Sequence, residues 1–299
     1  MGSRAHALYR TGGTLARHAP SALVDLVART GGFGAAQVTP DKRRQVERNL
    51  GRIYPTIRGQ RLRRGVDACF DSYARYWADT LRLPSVDDDE LDEGLTYEGY
   101  EHIVKARADG KGPLMIVPHL GSWEWAAFWL TRLENVPVSA VVEAIEPADV
   151  FDWFVELRES LGLSVIPLGP NAAKDVAAAV KRGEVTCLVA DRDISGTGIE
   201  VEFFGERTSL PAGPAALALR TGAPLLPTAV YYRGSRRHCV VHPPMEIERQ
   251  GRLREDVARI TQDVAHRLED MIRVAPEQWH LLQPNWPSDH EAERACRTR

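Results

Sequence analysis

From Gly112 onward, short apolar runs alternate with stretches of helical period, and this alternation constrains the fold more than any other feature of the chain. LMIV (114–117) precedes a helix opening at Ser122. VSAVV (138–142) precedes a helix near 147–161, and SVIPL (164–168) one from Asn171. TCLVA (186–190), VEFF (201–204), PLLPTAVYY (224–232) and HCVVH (238–242) follow, with a closing helix near 255–273. Strands that are apolar throughout, rather than on alternate residues, are buried on both faces, which helices achieve when they cover both sides of a largely parallel sheet. The expectation is an α/β fold: a central, mostly buried mixed sheet flanked by helices over residues 110–290.

The first 82 residues read differently. SALVDLVARTGGFG carries Leu23, Val24, Leu26 and Val27 before a glycine stop. Residues 61–82 form a longer amphipathic helix with Val66, Cys69, Phe70, Tyr73, Tyr76 and Trp77 on one side, a stripe that reads as core. We expect this segment to be an N-terminal helical extension, and residues 1–299 to form one domain. The acidic run at residues 87–90, with Asp92 and Glu93, reads as a solvated loop.

Charge matters here by its distribution. The net charge is −3, but residues 1–82 hold 15 Lys/Arg against 6 Asp/Glu, and the remainder 23 against 35. A basic N-terminal third suits an anionic lipid surface or solvated helix faces. Tyr9, Leu15, Val24, Leu26 and Phe33, beside Arg4, Arg10, Arg17 and Arg29, can make a membrane-facing patch or pack as core. The longest run free of Asp, Glu, Lys and Arg is 14 residues, 160–173, short of a membrane span. No signal peptide is evident. Cys69, Cys187, Cys239 and Cys296 are scattered singly, as in a reducing compartment.

The candidate chemistry lies at strand ends. VPHLGSWEW places His119 just after LMIV, and open α/β sheets form their sites at the carboxyl ends of strands. Ser122 is a candidate N-cap, putting Glu124 in the first helical turn. With His119 outside that helix, Glu124 can fold back onto the imidazole, fix its tautomer and raise its basicity. A structural His–Glu pair is the alternative. Asp191, Arg192 and Asp193 (ADRD) end another apolar run, and FFGERT contributes Glu206. Asp191-x-Asp193 also has the form of a metal-holding DxD pair, a reading that leaves HLGSWE and FFGERT without a role.

Taken in order, HLGSWE, VVEAIEP, ELRESLGL, VADRD, VEFFGERTSLPAGP and HLLQPNW resemble the glycerolipid and late-lipid acyltransferases with the HxxxxD/E motif. The branch resembled includes the bacterial lipid A acyltransferases and the mycobacterial and actinobacterial enzymes of phosphatidylinositol mannosides. The resemblance covers roughly residues 60–286 and implies a glycerolipid acyltransferase-like fold. It implies His119 as general base with Glu124, and Glu143, Arg158, Asp191, Arg192, Asp193 and Glu206 as substrate-binding positions. Glu124 stands where the branch usually has aspartate, and Asp191 where the mycobacterial enzymes have glutamate. The implied reaction moves a fatty acyl chain, palmitoyl, from acyl-CoA to a mannose hydroxyl of a phosphatidylinositol mannoside or a lipid A type glycolipid. Backbone N–H groups of residues 121–123 are candidates for stabilising the oxyanion. Neither cofactor nor metal is implied, and no nucleic acid partner. The implied location is peripheral, on the cytoplasmic face of the plasma membrane. From the residues alone, Arg158 and Arg192 are equally ion-pair partners, and Trp123, Trp125, Phe128 and Trp129 either line an acyl groove or fill the core.

Overall fold

The computed structural model describes residues 11–16, 24, 27, 30, 31, 34, 36–144 and 146–297. Tyr9, Leu26, Phe33, Arg4, Arg10, Arg17 and Arg29 of the expected membrane patch, and Leu23 of the first helix, lie outside them.

From residue 40 onward the chain forms helix α1 (Pro40–Ile53) and the 24-residue helix α2 (Gly59–Arg82). Then come α3 (Asp88–Glu93), β1 (Leu95–Glu98), α4 (Tyr100–Ala108), β2 (Leu114–Val117), α5 (Trp123–Arg132), β3 (Val138–Val142), α6 (Ala148–Ser160) and β4 (Leu163–Pro167). The remainder is α7 (Ala172–Lys181), β5 (Val185–Val189), β6 (Ile199–Phe203), β7 (Glu206–Leu210), α8 (Gly213–Thr221), β8 (Leu225–Arg233), β9 (Arg236–Val241), α9 (Leu253–Val274) and α10 (Pro287–Arg297).

Seven strands form one sheet in the order β1-β9-β8-β2-β5-β3-β4, while β6 and β7 make a separate antiparallel hairpin. Strands β8, β2, β5, β3 and β4 run parallel; β9 reverses against β8, and β1 pairs parallel to β9. The mixed, buried sheet is therefore as the alternation predicts. Successive side chains of a strand point to opposite faces, and β2 shows the consequence. Leu114 and Ile116 join a core with Val176 of α7, Leu217 of α8 and Leu268 of α9. Met115 and Val117 enter a second core with Trp125, Phe128 and Trp129 of α5. All four β2 residues are buried, which is why the strand reads as a continuous apolar run.

The acidic run corrects the solvated-loop expectation. Asp87 caps α3 by accepting the Glu90 N–H, and Asp88, Asp89 and Glu90 fill its first turn. Unpaired N–H groups and the positive end of the helix dipole favour carboxylates there. Leu91, fully buried, ties this short helix to the core. Among the described residues, no helix is long and apolar enough to cross a membrane.

Candidate active site

The loop after β2 is built around one glycine. Gly121 has φ +59°, and a Cβ there would collide with the Val230 carbonyl of β8. Only glycine lets the chain pass so close to β8 and then turn into α5. Ser122 takes the N-cap position, but its side chain makes no capping bond; the Oγ is buried without a partner. The expected cap is thus positional only.

His119 does find a carboxylate, but it is Asp191 rather than Glu124. The imidazole Nδ1 lies 2.7 Å from Asp191 Oδ1, and the His119 backbone N–H donates to Asp191 Oδ2 at 3.0 Å. The cause is strand register. β2 and β5 are parallel neighbours with Val117 opposite Val189, so two residues further on His119 stands opposite Asp191. Asp191 is fully buried, whereas 41% of the His119 side chain is exposed. The dyad therefore has a closed side at Nδ1 and an open imidazole edge. Burial favours the neutral acid at Asp191, yet the His119 charge and the surrounding hydrogen bonds override it and lower its pKa. At His119, burial works against the imidazolium, and the Asp191 charge and hydrogen bond more than reverse it, so the pKa is raised. An ionised Asp191 accepts, so Nδ1 carries the proton and Nε2 presents a lone pair.

Glu124 serves another set. Its Oε1 accepts from Tyr76 Oη and Arg158 Nη2, both at 2.9 Å, while Oε2 and Arg158 Nε are buried without partners. The first helical turn points it at α2 and α6, away from the strand-end position that meets the histidine. Burial, reinforced by the Glu124 charge, pushes Tyr76 well above its ordinary value, so the phenol stays a donor. Arg158 is thus an ion-pair partner here, stacked 5.8 Å from Trp123.

Of the other expected site residues, Glu143 and Arg192 face each other at 3.8 Å, and their charges act on His119. The Asp193 carboxylate accepts from the Ser195, Gly196 and Gly198 N–H groups and from Ser195 and Ser209 hydroxyls. It ties its own loop, and its acceptor capacity is filled. The two carboxylates of Asp191-x-Asp193 have separate partners, His119 and Trp279 for the first and the 195–198 loop for the second. Glu206 is held by Arg52 at 2.8 Å and by Ser288, fastening the hairpin to α1 and α10.

Several residues that the sequence does not single out individually meet the site, two of them, His280 and Asn285, inside the HLLQPNW stretch. Gln278, Trp279 and His280 lie along the 119–121 loop: Leu120 bridges Trp279, Gly121 N–H donates to Gln278 O at 3.2 Å, and His280 N–H donates to His119 O at 2.7 Å. Trp279 Nε1–H donates to Asp191 Oδ2 at 2.7 Å. Asn285, within the HLLQPNW stretch, donates to the Asp191 carbonyl at 3.1 Å. His280 Nε2 lies 2.8 Å from Ser72 Oγ of α2.

Burial, and then the charge of His119, pushes His280 down to about 3. An unfolded chain takes up that proton near ~6.5. Between these values the unfolded state binds more protons, so stability falls as the pH is lowered. We expect Tm to drop progressively below about pH 6.5, and His280→Asn to flatten that slope in thermal unfolding. An unchanged slope in the variant would take His280 out of the account.

A narrow apolar cavity of about 40 Å³ is lined by Val117, Trp123, Trp129, Cys187, Val230 and Cys239 among others, but by neither His119 nor Asp191. It crosses the sheet face beneath α4 and α5. Trp129 is buried core that lines this cavity with the partly buried Trp123, and Trp125 is core, fully buried with its indole donating to Leu91 O. Phe128 is also buried core. Cys69, Cys187 and Cys239 are buried free thiols, pushed up to about 12 chiefly by burial. Two larger open depressions, about 630 and 520 Å³, lie where the strands begin, near Gly183 and Gly162. None of His119, Glu124 and Asp191 lines these two or the apolar cavity, so none of the three cavities marks the site.

Comparisons with known proteins converge. The family model described as bacterial lipid A biosynthesis acyltransferase matches residues 4–288. A phosphatidylinositol mannoside acyltransferase of Mycolicibacterium smegmatis is 35% identical over 97% of this chain and 93% of its own length. One of Mycobacterium tuberculosis is 37% identical over 78% of this chain and 73% of its own. A lipid A biosynthesis acyltransferase of Haemophilus influenzae is 20% identical over 80% of this chain and 73% of its own.

Proposed function

Because this chain belongs to the bacterial lipid A biosynthesis acyltransferase family, we propose that it transfers a palmitoyl chain from acyl-CoA to a mannose hydroxyl of a phosphatidylinositol mannoside, with His119 as general base. The observation that carries this reading is the dyad: a half-exposed imidazole oriented by a buried carboxylate. His119 Nε2 takes the hydroxyl proton as the oxygen attacks the thioester carbonyl. The tetrahedral intermediate then collapses with loss of the C–S bond, and the thiolate leaves with a proton from the imidazolium. The products are an ester and the free thiol, and no cofactor enters. The Gly121 N–H is committed to Gln278 O. The oxyanion is therefore assigned to the Ser122 and Trp123 N–H groups at the start of α5. General-base assistance is worth roughly 10²–10⁴-fold.

The 35–37% identity to mannoside acyltransferases, against 20% to a lipid A enzyme, supports the mannoside acceptor. Attachment to the cytoplasmic face of an anionic membrane is part of the same reading. Residues 48–66 hold six arginines and no acid, and Arg58, Arg61, Arg63 and Arg64 are exposed at the α1–α2 turn. Like-signed charge of this density suits anionic headgroups.

The test is acyl transfer from palmitoyl-CoA to purified phosphatidylinositol mannosides in anionic vesicles, with lipid products followed by mass spectrometry. A newly acylated mannoside is the expected result. Thioester hydrolysis without transfer would overturn the acceptor and keep the chemistry. No consumption of palmitoyl-CoA would overturn both.

A further inference from the structure

We infer that Trp279 is a positioning residue of the proposed base, its indole N–H fixing the Asp191 carboxylate so that one oxygen is kept for the His119 ring. This rests on the acyltransferase reading above and extends it to a residue outside the motifs.

Three donors meet the two oxygens of Asp191. Oδ2 accepts from the His119 backbone N–H at 3.0 Å and from Trp279 Nε1–H at 2.7 Å, while Oδ1 faces His119 Nδ1 at 2.7 Å. A carboxylate with both donors of Oδ2 in place cannot rotate without breaking them, so Oδ1 stays aimed at the imidazole. The indole is itself held. Trp279 is 2% exposed, with Phe204 at 5.7 Å, Phe203 at 6.1 Å edge-on and Trp286 at 6.3 Å edge-on. Its backbone runs beside the catalytic loop through the Leu120 bridge, and its carbonyl accepts the Cys69 thiol at 3.2 Å. One residue thus touches both the loop bearing the base and the carboxylate that orients it.

An indole suits this post chemically. It donates one hydrogen bond, accepts none and does not titrate, so its support for Asp191 is the same at every pH. The charged and titratable groups facing His119 are Asp191, Arg192, Glu143 and His280. Of these, only Asp191 accepts a hydrogen bond from the Trp279 side chain, so the change acts on His119 through that carboxylate.

The N–H also draws charge away from the carboxylate. Without it, Asp191 becomes a stronger acceptor for the imidazole N–H and holds the imidazolium more tightly. His119 then titrates higher, and the acid limb of the rate profile moves to higher pH. Carboxylate rotation lowers the plateau as well.

The first variant is Trp279→Phe, which keeps an aromatic ring and loses the donor. The second replaces Trp279 site-specifically by 3-benzothienylalanine, in which sulfur takes the place of N–H at nearly unchanged shape, and serves if the smaller ring loosens the fold. The His119 pKa is followed by NMR without substrate, and thioester turnover is measured across pH. We expect kcat to fall about tenfold, the scale of one lost hydrogen bond to a charged group. We expect the His119 pKa and the acid limb to rise together by roughly half to one pH unit. A folded variant whose His119 pKa and acid limb stay put reduces Trp279 to core filling, whatever happens to kcat. If wild type consumes no acyl thioester, the proposed reaction falls, while the substrate-free titration still decides the role of Trp279.

Discussion

His119→Ala is expected to lower acyl transfer by about 10²–10⁴-fold, the span that a positioned general base contributes. Asp191→Asn should cost nearly as much. The amide keeps the size but removes the charge that holds Nδ1–H in place, so the imidazole is free to present the wrong nitrogen. The double variant should lose little more than His119→Ala alone, because the two side chains act as a unit. Glu124→Gln is the contrast. It removes the charge from a buried pair with Arg158 and leaves the Asp191–His119 contact intact, so it should lower stability while kcat of the folded variant stays within about tenfold of wild type. Steady-state turnover of an acyl thioester by folded variants checks all four. Loss of activity in Glu124→Gln with activity kept in Asp191→Asn would reverse the order of the two carboxylates and undo the assignment.

Asp79→Ala should be the most destabilising of the changes away from the dyad. Asp79 of α2 is 2% exposed and Arg237 of β9 is 7% exposed. The carboxylate takes Arg237 Nε at 2.9 Å, Arg237 Nη2 beside it, and the Tyr232 hydroxyl at 3.0 Å. The guanidinium lies 3.7 Å over the Trp125 ring, which is itself fully buried. Removing the carboxylate leaves a buried cation without a counter-charge and a buried phenol without an acceptor. Breaking such a pair costs about 3–5 kcal/mol, a large share of the ~5–15 kcal/mol by which proteins are stable. Urea unfolding should show a much lower midpoint, and replacing both Asp79 and Arg237 by apolar residues should recover part of it. A midpoint unchanged in Asp79→Ala would mean that the pair does not fasten α2 to the sheet.

The parts of the fold that can be read from sequence are those whose burial is complete. LMIV and VSAVV announce β2 and β3 because both faces are covered, and the closing helix, expected near 255–273, is observed over Leu253–Val274 with its apolar stripe buried. β1 is not. LTYE has one buried residue and three exposed ones at the sheet edge, so it carries no apolar run. The hairpin strand ERTSL is hidden for a similar reason. The acidic stretch misleads because a carboxylate at a helix N-terminus and a carboxylate in a solvated loop look alike in composition. At the site, His119 and Asp191 are both visible as polar residues after apolar strands. That they meet depends on β2 and β5 being neighbours, with β3 and β4 lying beyond β5. Local spacing favours Glu124 instead, since nothing in a five-residue interval reports strand order. Asp193 and Glu206 look available until Ser195, Gly198, Arg52 and Ser288 are seen to occupy them.

The dyad joins positions 72 residues apart, and its indole support reaches across 88. Loops of that length close late, because their entropy must be lost before the contacts they bring are gained. A chain that has formed its helices and the β8–β9 hairpin still has no oriented imidazole. Half-folded molecules should therefore be chemically silent toward acyl thioesters. Reactive donor would be spent only by molecules whose topology is complete.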